Sequence, residues 1–393
     1  MHVWTLAFVA LVWTHGATAS PPGYPDSAGF LNPVFVSTYQ DVGHCVKGLV
    51  AVSVSASNTH ILLSDLKNQW QISQTIQDIA LSDPDQRRAL LGDTVHINDT
   101  FRIECVLCAA HGHTSNDSTV HIMSPGMGFQ KHYWDTGNYS YVNNFLKTGY
   151  VTFAYNRLGV GNSDHPDPLQ TVQAPVEIEI LHALIDALRR GRLSSRCFSK
   201  IVGIGHGYGA AVQLGVNRKY PDDLNASIIT GLSDRLEHFG LALLGTAPAV
   251  ASENAPANFS NDPMGYLVQN DAISLAQSLL RWPFESSILG DVLNNRGEFT
   301  IGQILTYADS IIPATRYTGP VDVVLGSHDY IACGIPCDQL FDQAALTLAK
   351  LFPAAANGSR SLVVPDAGHL TNLQYTSSMM YRQIAQFLQS HGF

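Results

Sequence analysis

Read from the amino terminus, the chain alternates short apolar runs with amphipathic stretches. Gly43–Ser55 and Val95–Ala110 have the composition of strands, and Gln69–Leu91 reads as helical. Val120–Met123 is a short buried strand that runs into Ser124-Pro-Gly-Met-Gly128. Tyr139–Thr148 suggests a helix, Tyr150–Tyr155 a strand, and Asn156–Ser163 a loop carrying glycines. Ala174–Arg190 places Ile178, Leu181, Leu184, Ile185 and Leu188 on one helical stripe. A strand at Lys200–Gly205, a helix at Tyr208–Arg218 and a strand at Asn225–Gly231 follow. From 233 to about 318 the alternation breaks into short helical patterns with aromatic residues, which we read as an inserted helical cap. Val321–Gly326 resumes the strands, Asp338–Leu351 is helical, Ser361–Pro365 is the last strand and Met379–Gln389 the last helix. Strands alternating with helices predict an α/β fold, with a mostly parallel sheet covered on both faces and ligands at the carboxyl ends of its strands.

The 393 residues suffice for one such domain with its insertion. A net charge of -10 argues against a nucleic-acid or anionic-membrane partner. The first residues form a short apolar run followed by small residues at Gly16–Ser20. This predicts a secretory signal over 1–20, a mature domain over 21–393 with no later membrane span, and a destination outside the cell or in a secretory lumen, vesicle or vacuole. Sequons at Asn98, Asn116, Asn138, Asn225, Asn258 and Asn357 agree with a glycoprotein. Six cysteines suit disulfides. Cys333 and Cys337 can close a small loop, and Cys45 can reach either Cys105 or Cys108. The Cys105–Cys108 spacing lacks a second ligand pair, so a structural role is preferred to zinc.

The chemistry centres on Gly205-His206-Gly207-Tyr208-Gly209. The stretch lies between a buried strand and a helix, as G-x-S-x-G does, but its central residue is Gly207. Asp329 follows the strand ending at Gly326, and His369 follows the last strand. Nucleophile position, acid and histidine therefore occur in the order of a Ser–acid–His triad, with Asp234 and Asp322 as weaker alternatives for the acid. Backbone N–H groups of Met127 and Tyr208 are candidates for an oxyanion hole. His206 either lines the site as a substrate contact or packs beneath the turn. Ser124 and Ser163 lack the setting of a replacement nucleophile. No metal, nucleotide or organic cofactor is expected, because the glycine loop at 159–161 lacks the spacing and lysine of a phosphate loop.

Together with Pro125–Asp135, Tyr155–Ser163, Asp167–Pro175, Cys333–Cys337 and Ala367–His369, these features resemble the secreted α/β-hydrolases of filamentous fungi, over most of the chain after the signal. The resemblance implies an α/β-hydrolase fold of esterase or lipase type, with Asp329 and His369 at the acid and base positions. The chain departs from it at Pro125, where the family has histidine, and at Gly207, where it has serine. It also implies a setting in secondary metabolism. Three readings follow: proton abstraction or condensation on a small apolar carbonyl or ester metabolite by a His–Asp dyad without a serine; hydrolysis by water or another nucleophile; and a binding protein without catalysis. No protein partner is indicated.

Overall fold

The computed structural model describes residues 20–63, 66–112 and 119–393. The expected signal, apart from Ser20, and the sequon at Asn116 lie outside the described residues. In chain order the strands are β1 (Leu31–Ser37), β2 (Gly43–Ile61), β3 (Leu91–Ala110), β4 (Thr119–Ser124), β5 (Val151–Tyr155), β6 (Lys200–His206), β7 (Ala226–Thr230), β8 (Pro248–Val250), β9 (Tyr266–Gln269), β10 (Phe299–Thr300), β11 (Val321–Gly326) and β12 (Arg360–Val364).

Nine of these form one sheet in the order β1-β2-β3-β5-β4-β6-β7-β11-β12. The six strands from β5 to β12 in that order run parallel, and β1, β2 and β3 add an antiparallel flank. The parallel strands are predominantly apolar, as strands covered on both faces are. Along β4, Val120 and Ile122 pack toward the helices Ala174–Arg189 and Tyr208–Lys219. Met123 points the other way, toward Tyr141–Leu146 and Ser377–Ser390.

The flank adds one strand that the sequence reading did not assign and changes one expectation. β1 has no clear apolar alternation, and only its pairing with β2 makes it a strand. The stretch expected as one helix over Gln69–Leu91 is a helix Gln69–Leu81, a capped turn Pro84–Arg88 and the start of β3. Asp83 accepts from the Asp85 and Gln86 N–H groups, while Pro84 cannot continue the first helix.

β2 and β3 pair from Gly43–Ala110 out to Ile61–Leu91 and carry the helix Gln69–Leu81 far from the parallel strands. Its Ile72, Ile76 and Ile79 share a core with Leu243, Val250 and Leu267, all from the insertion between β7 and β11. Besides helices such as Phe239–Gly245, that insertion holds a small antiparallel sheet, β10-β9-β8, that the helical reading did not assign.

Register also settles a cysteine pairing. Cys45 lies opposite Cys108 in the β2–β3 ladder, with Cα atoms 4.1 Å apart, and the two are bonded. Cys105 faces Gly48 and stays free and buried, and Cys197 is free and exposed. Cys333 and Cys337 form the second disulfide. No helix among the described residues is long and apolar enough to cross a membrane. Asn98, Asn138, Asn258 and Asn357 are exposed. Asn225 is half-buried, its Oδ1 accepting the Ile201 N–H at 2.8 Å, so it is poorly presented for modification.

Candidate active site

The turn after β6 has the geometry of a strained strand-to-helix elbow. Gly207 sits at φ 52° and ψ -116°, directly before the helix Tyr208–Lys219. Its two neighbouring glycines are there for packing. A Cβ on Gly205 would lie 2.5 Å from the Ala210 Cα, and one on Gly209 would lie 2.2 Å from the Ser124 carbonyl oxygen. Gly207 differs: a Cβ there would meet the His369 Nε2 at 3.1 Å and nothing else closer than 3.6 Å. The close approach of strand and helix thus demands glycine on either side of the centre, and the centre itself faces an imidazole.

His369 is held from behind. Its Nδ1 is 2.9 Å from Asp329 Oδ2. The other carboxylate oxygen, Oδ1, accepts the Ala332 N–H at 3.0 Å. The carboxylate of Asp329 is fully buried and the His369 side chain is 9% exposed. An ionised carboxylate only accepts, so Nδ1 carries the proton and Nε2 turns its lone pair toward position 207. The loops bearing the two groups are tied together, since the His328 N–H donates to the Ala367 carbonyl at 2.8 Å. The Cys333–Cys337 bridge closes around the acid, with the Cys333 N–H donating to the Asp329 carbonyl at 2.9 Å.

The alternative acids are engaged elsewhere. Asp322 pairs with Arg360 at 2.8 Å and Asp234 with Lys350 at 2.9 Å. The two serines are engaged too. Ser124 bonds the Tyr155 hydroxyl at 2.9 Å, and Ser163 donates to the Asn156 carbonyl at 2.9 Å. His206 packs beneath the turn and does not line the cavity: its ring is fully buried, stacks on Tyr133 at 4.6 Å and bonds Thr230 at 3.0 Å. As the last residue of a strand covered on both faces, it has no route to the opening. Burial, followed by the charge of His369, holds its imidazole well below the usual histidine range.

Met127 and Tyr208 both line the cavity, and neither backbone N–H has an acceptor among the described residues. The Tyr208 N–H is at the start of a helix, where the backbone dipoles favour negative charge. The Met127 N–H is aimed by a residue that sequence reasoning passed over. Arg157 is fully buried, and its guanidinium donates to the Pro125 and Gly126 carbonyls, each at 3.1 Å. The C=O and N–H of a trans peptide point in opposite directions, so pinning the Gly126 carbonyl turns the Met127 N–H away from Arg157. Glu177 balances the buried charge at 3.2 Å and is itself held by Gln303 at 2.8 Å. Arginine in the Asn156–Ser163 stretch was the available signal, but only the fold shows what it grips.

The cavity above Gly207 measures about 70 Å³ and is lined largely by apolar side chains, among them Phe129, Phe239, Leu243, Leu279 and Phe299. Phe239 and Leu243 belong to the insertion and form its roof. Gln269 from β9 also reaches it, and its buried Oε1 has no partner among the described residues. The sequence held no signal for this amide, because β9 itself was not foreseen.

An acid and a base on neighbouring strand ends, a helix-terminal turn facing the base and an inserted roof are the parts of a known architecture. No curated protein matches the sequence. Among solved structures the chain is similar to a thermophilic esterase from Thermogutta terrifontis, at 16% identity over 74% of this chain and 94% of that one, with a TM-score of 0.50. It is similar to an alpha/beta hydrolase fold protein from Chitinophaga pinensis at 16% identity, with the same coverage and a TM-score of 0.51. It is also similar to the enol-lactonase from Burkholderia xenovorans LB400 at 13% identity, over 74% and 97% of the two chains, with a TM-score of 0.50. At such identities these likenesses speak for the fold. Residues 120–379 match the model of the alpha/beta hydrolase family, and that span holds the elbow, Asp329 and His369 together, so the chain belongs to the alpha/beta hydrolase family.

Proposed function

We propose that this protein is an acid–base catalyst acting on a small apolar carbonyl or ester metabolite, with His369 as base, Asp329 as its orienting partner, and the Met127 and Tyr208 N–H groups as the oxyanion hole. Glycine stands at 207, where the family resemblance places the serine, so no acyl-enzyme forms there. One observation carries the reading: the His369 Nε2 faces a side-chain position that Gly207 leaves empty. In the proposed step Nε2 takes a proton from the carbon next to the carbonyl. The C–H electrons move into the carbon–carbon bond and the carbonyl pair onto oxygen, where the two N–H groups stabilise the enolate. The imidazolium then returns the proton to the product. This chemistry serves isomerisation, dehydration or carbon–carbon condensation.

The roof bears on substrate size. About 70 Å³ is well below the ~300 Å³ of ordinary ligand pockets, so a larger metabolite requires the helix Phe239–Gly245 to move aside. The apolar lining favours an uncharged substrate. Exposed sequons and two disulfides support a secreted or lumenal glycoprotein. A place in fungal secondary metabolism rests on the resemblance alone.

The test is deuterium uptake at the α-carbon of small apolar ketones, followed by NMR with the purified chain. Exchange by wild type that His369→Ala abolishes supports the proposal, and equal exchange by both proteins overturns it. A second reading, hydrolysis by water that His369 activates, draws on the same two N–H donors. It is favoured if esters turn over in a His369-dependent way without labelling by a fluorophosphonate.

A further inference from the structure

A second group of ionisable side chains lies where the loop after β5 meets the insertion. His165 follows the glycine loop, Asp262 precedes β9 and Glu298 directly precedes β10. The His165 Nε2 is 3.1 Å from Glu298 Oε1 and 3.8 Å from Asp262 Oδ1. One donor atom from each of the three lies within 4.8 Å of the others.

The carboxylates are deeply placed, with Glu298 only 2% and Asp262 only 10% exposed. Two buried carboxylates at this range repel each other, and each loses hydration. Among the described residues neither pairs with a lysine or arginine, and both turn to the one imidazole. Glu298 is otherwise satisfied, since its Oε2 accepts the Gly161 N–H at 3.1 Å. Asp262 is not: its Oδ2 is buried without a partner.

One imidazole nitrogen and two carboxylates make a mixed donor set that suits zinc and its neighbours. Calcium, by contrast, takes six to eight oxygen ligands. Zinc bonds of about 2.0–2.2 Å in a tetrahedron put ligand atoms roughly 3.3–3.6 Å apart, and the separations of 3.1 and 3.8 Å lie on either side of that range. A divalent ion also balances both carboxylates, whereas a protonated imidazole leaves one negative charge over. We propose that His165, Asp262 and Glu298 bind a divalent transition-metal ion of the zinc type. The ion joins the glycine loop of the core to the insertion, and Phe299, next to Glu298, carries its effect to the cavity wall.

The test uses the full chain, stripped with a chelator and titrated with Zn²⁺ alone by calorimetry and by thermal unfolding. One ion per chain is expected, with a metal-dependent rise in Tm. Asp262→Asn and His165→Gln should each weaken binding at least tenfold and abolish that rise. The control is His44→Gln in the more exposed Asp41–His44–His111 group, which should leave this binding unchanged. Wild type that takes up no zinc, or uptake that persists unchanged in both variants, overturns the proposal. Acidification that raises the Tm of wild type relative to Asp262→Asn, while zinc does nothing, assigns the cluster to a proton and overturns it equally.

Discussion

Gly207→Ser tests whether the site still has working hydrolase geometry. The backbone already holds the elbow dihedrals, so the new side chain inherits them and need not create them. A non-glycine residue at φ 52° costs about 1–3 kcal/mol, and reduced freedom of the unfolded chain returns about 0.4–1 kcal/mol. The net expectation is a loss of about 1–2 kcal/mol, read as a fall of a few degrees in Tm. The new Cβ would stand 3.1 Å from the His369 Nε2, so the imidazole must yield by a few tenths of an ångström. Removing the serine from a working triad costs about 10⁶ in kcat, and a misplacement of about 1 Å gives back roughly 10². Restoring it should therefore raise ester hydrolysis by about 10⁴-fold or more over wild type. The assays are p-nitrophenyl acetate hydrolysis with its acylation burst, and covalent labelling by a fluorophosphonate. His369→Ala in the same background should abolish both. A folded Gly207→Ser protein that neither labels nor turns over would refute the reasoning, because elbow, base or oxyanion hole would then be out of register.

Three further outcomes follow from the surrounding structure. Arg157→Met should cost about 3–5 kcal/mol by stranding the buried Glu177; in the Gly207→Ser background it should also lower esterase kcat about 100-fold by freeing the Met127 amide, whereas Glu177→Gln added to it should recover part of the Tm but not the rate. His121 is fully buried and pushed down to about 3 by burial, and burial holds His206 well below the usual histidine range as well. Both bind protons in the unfolded chain below about 6.5 and not in the fold. The part of the stability that rests on these neutral rings should thus be full above that pH and fall on acidification, by about 1.6 kcal/mol for His121 between pH 6.5 and 5, and denaturant titrations of wild type against His121→Gln should read that difference. Losing the Cys45–Cys108 bridge, which spans 63 residues, should cost about 4 kcal/mol, and losing Cys333–Cys337, which spans 4, about 2 kcal/mol by chain entropy. Denaturation of the two Cys→Ser pairs checks that ranking, and the second pair alone should impair His369-dependent exchange.

The parallel core was legible because strands covered on both faces are written as short, mostly apolar runs; Val321–Gly326, apolar but for Asp322, coincides with β11. The positions of Asp329 and His369 could be inferred because both follow strands that end at the same edge of the sheet. What was not legible depends on pairing partners distant in sequence. The choice of Cys108 over Cys105 is a matter of register, and β1 is a strand only beside β2. The role of Arg157 rests on carbonyls 31 and 32 residues away in sequence, and Gln269 reaches the cavity only through a strand too short to leave a pattern. His206 shows the limit most clearly. Its place beside the elbow suits either a wall or a foundation, and only packing against Tyr133 and Thr230 decides for the latter.

The β2–β3 ribbon has a mechanical consequence. At 19 residues, β2 is about 65 Å long, and the ribbon ends in a helix gripping the same lid that the chain between β7 and β11 supplies. The lid is thus tethered twice, by segments that share no hinge. A single protease cut in the exposed stretch around Asp83–Ala89 would leave that helix attached through β2 alone, loosening one mooring, with Asp329, His369 and the elbow in place. Such a nicked protein should admit bulkier ligands with the His369–Asp329 geometry unchanged, which would make the ribbon a determinant of size selection.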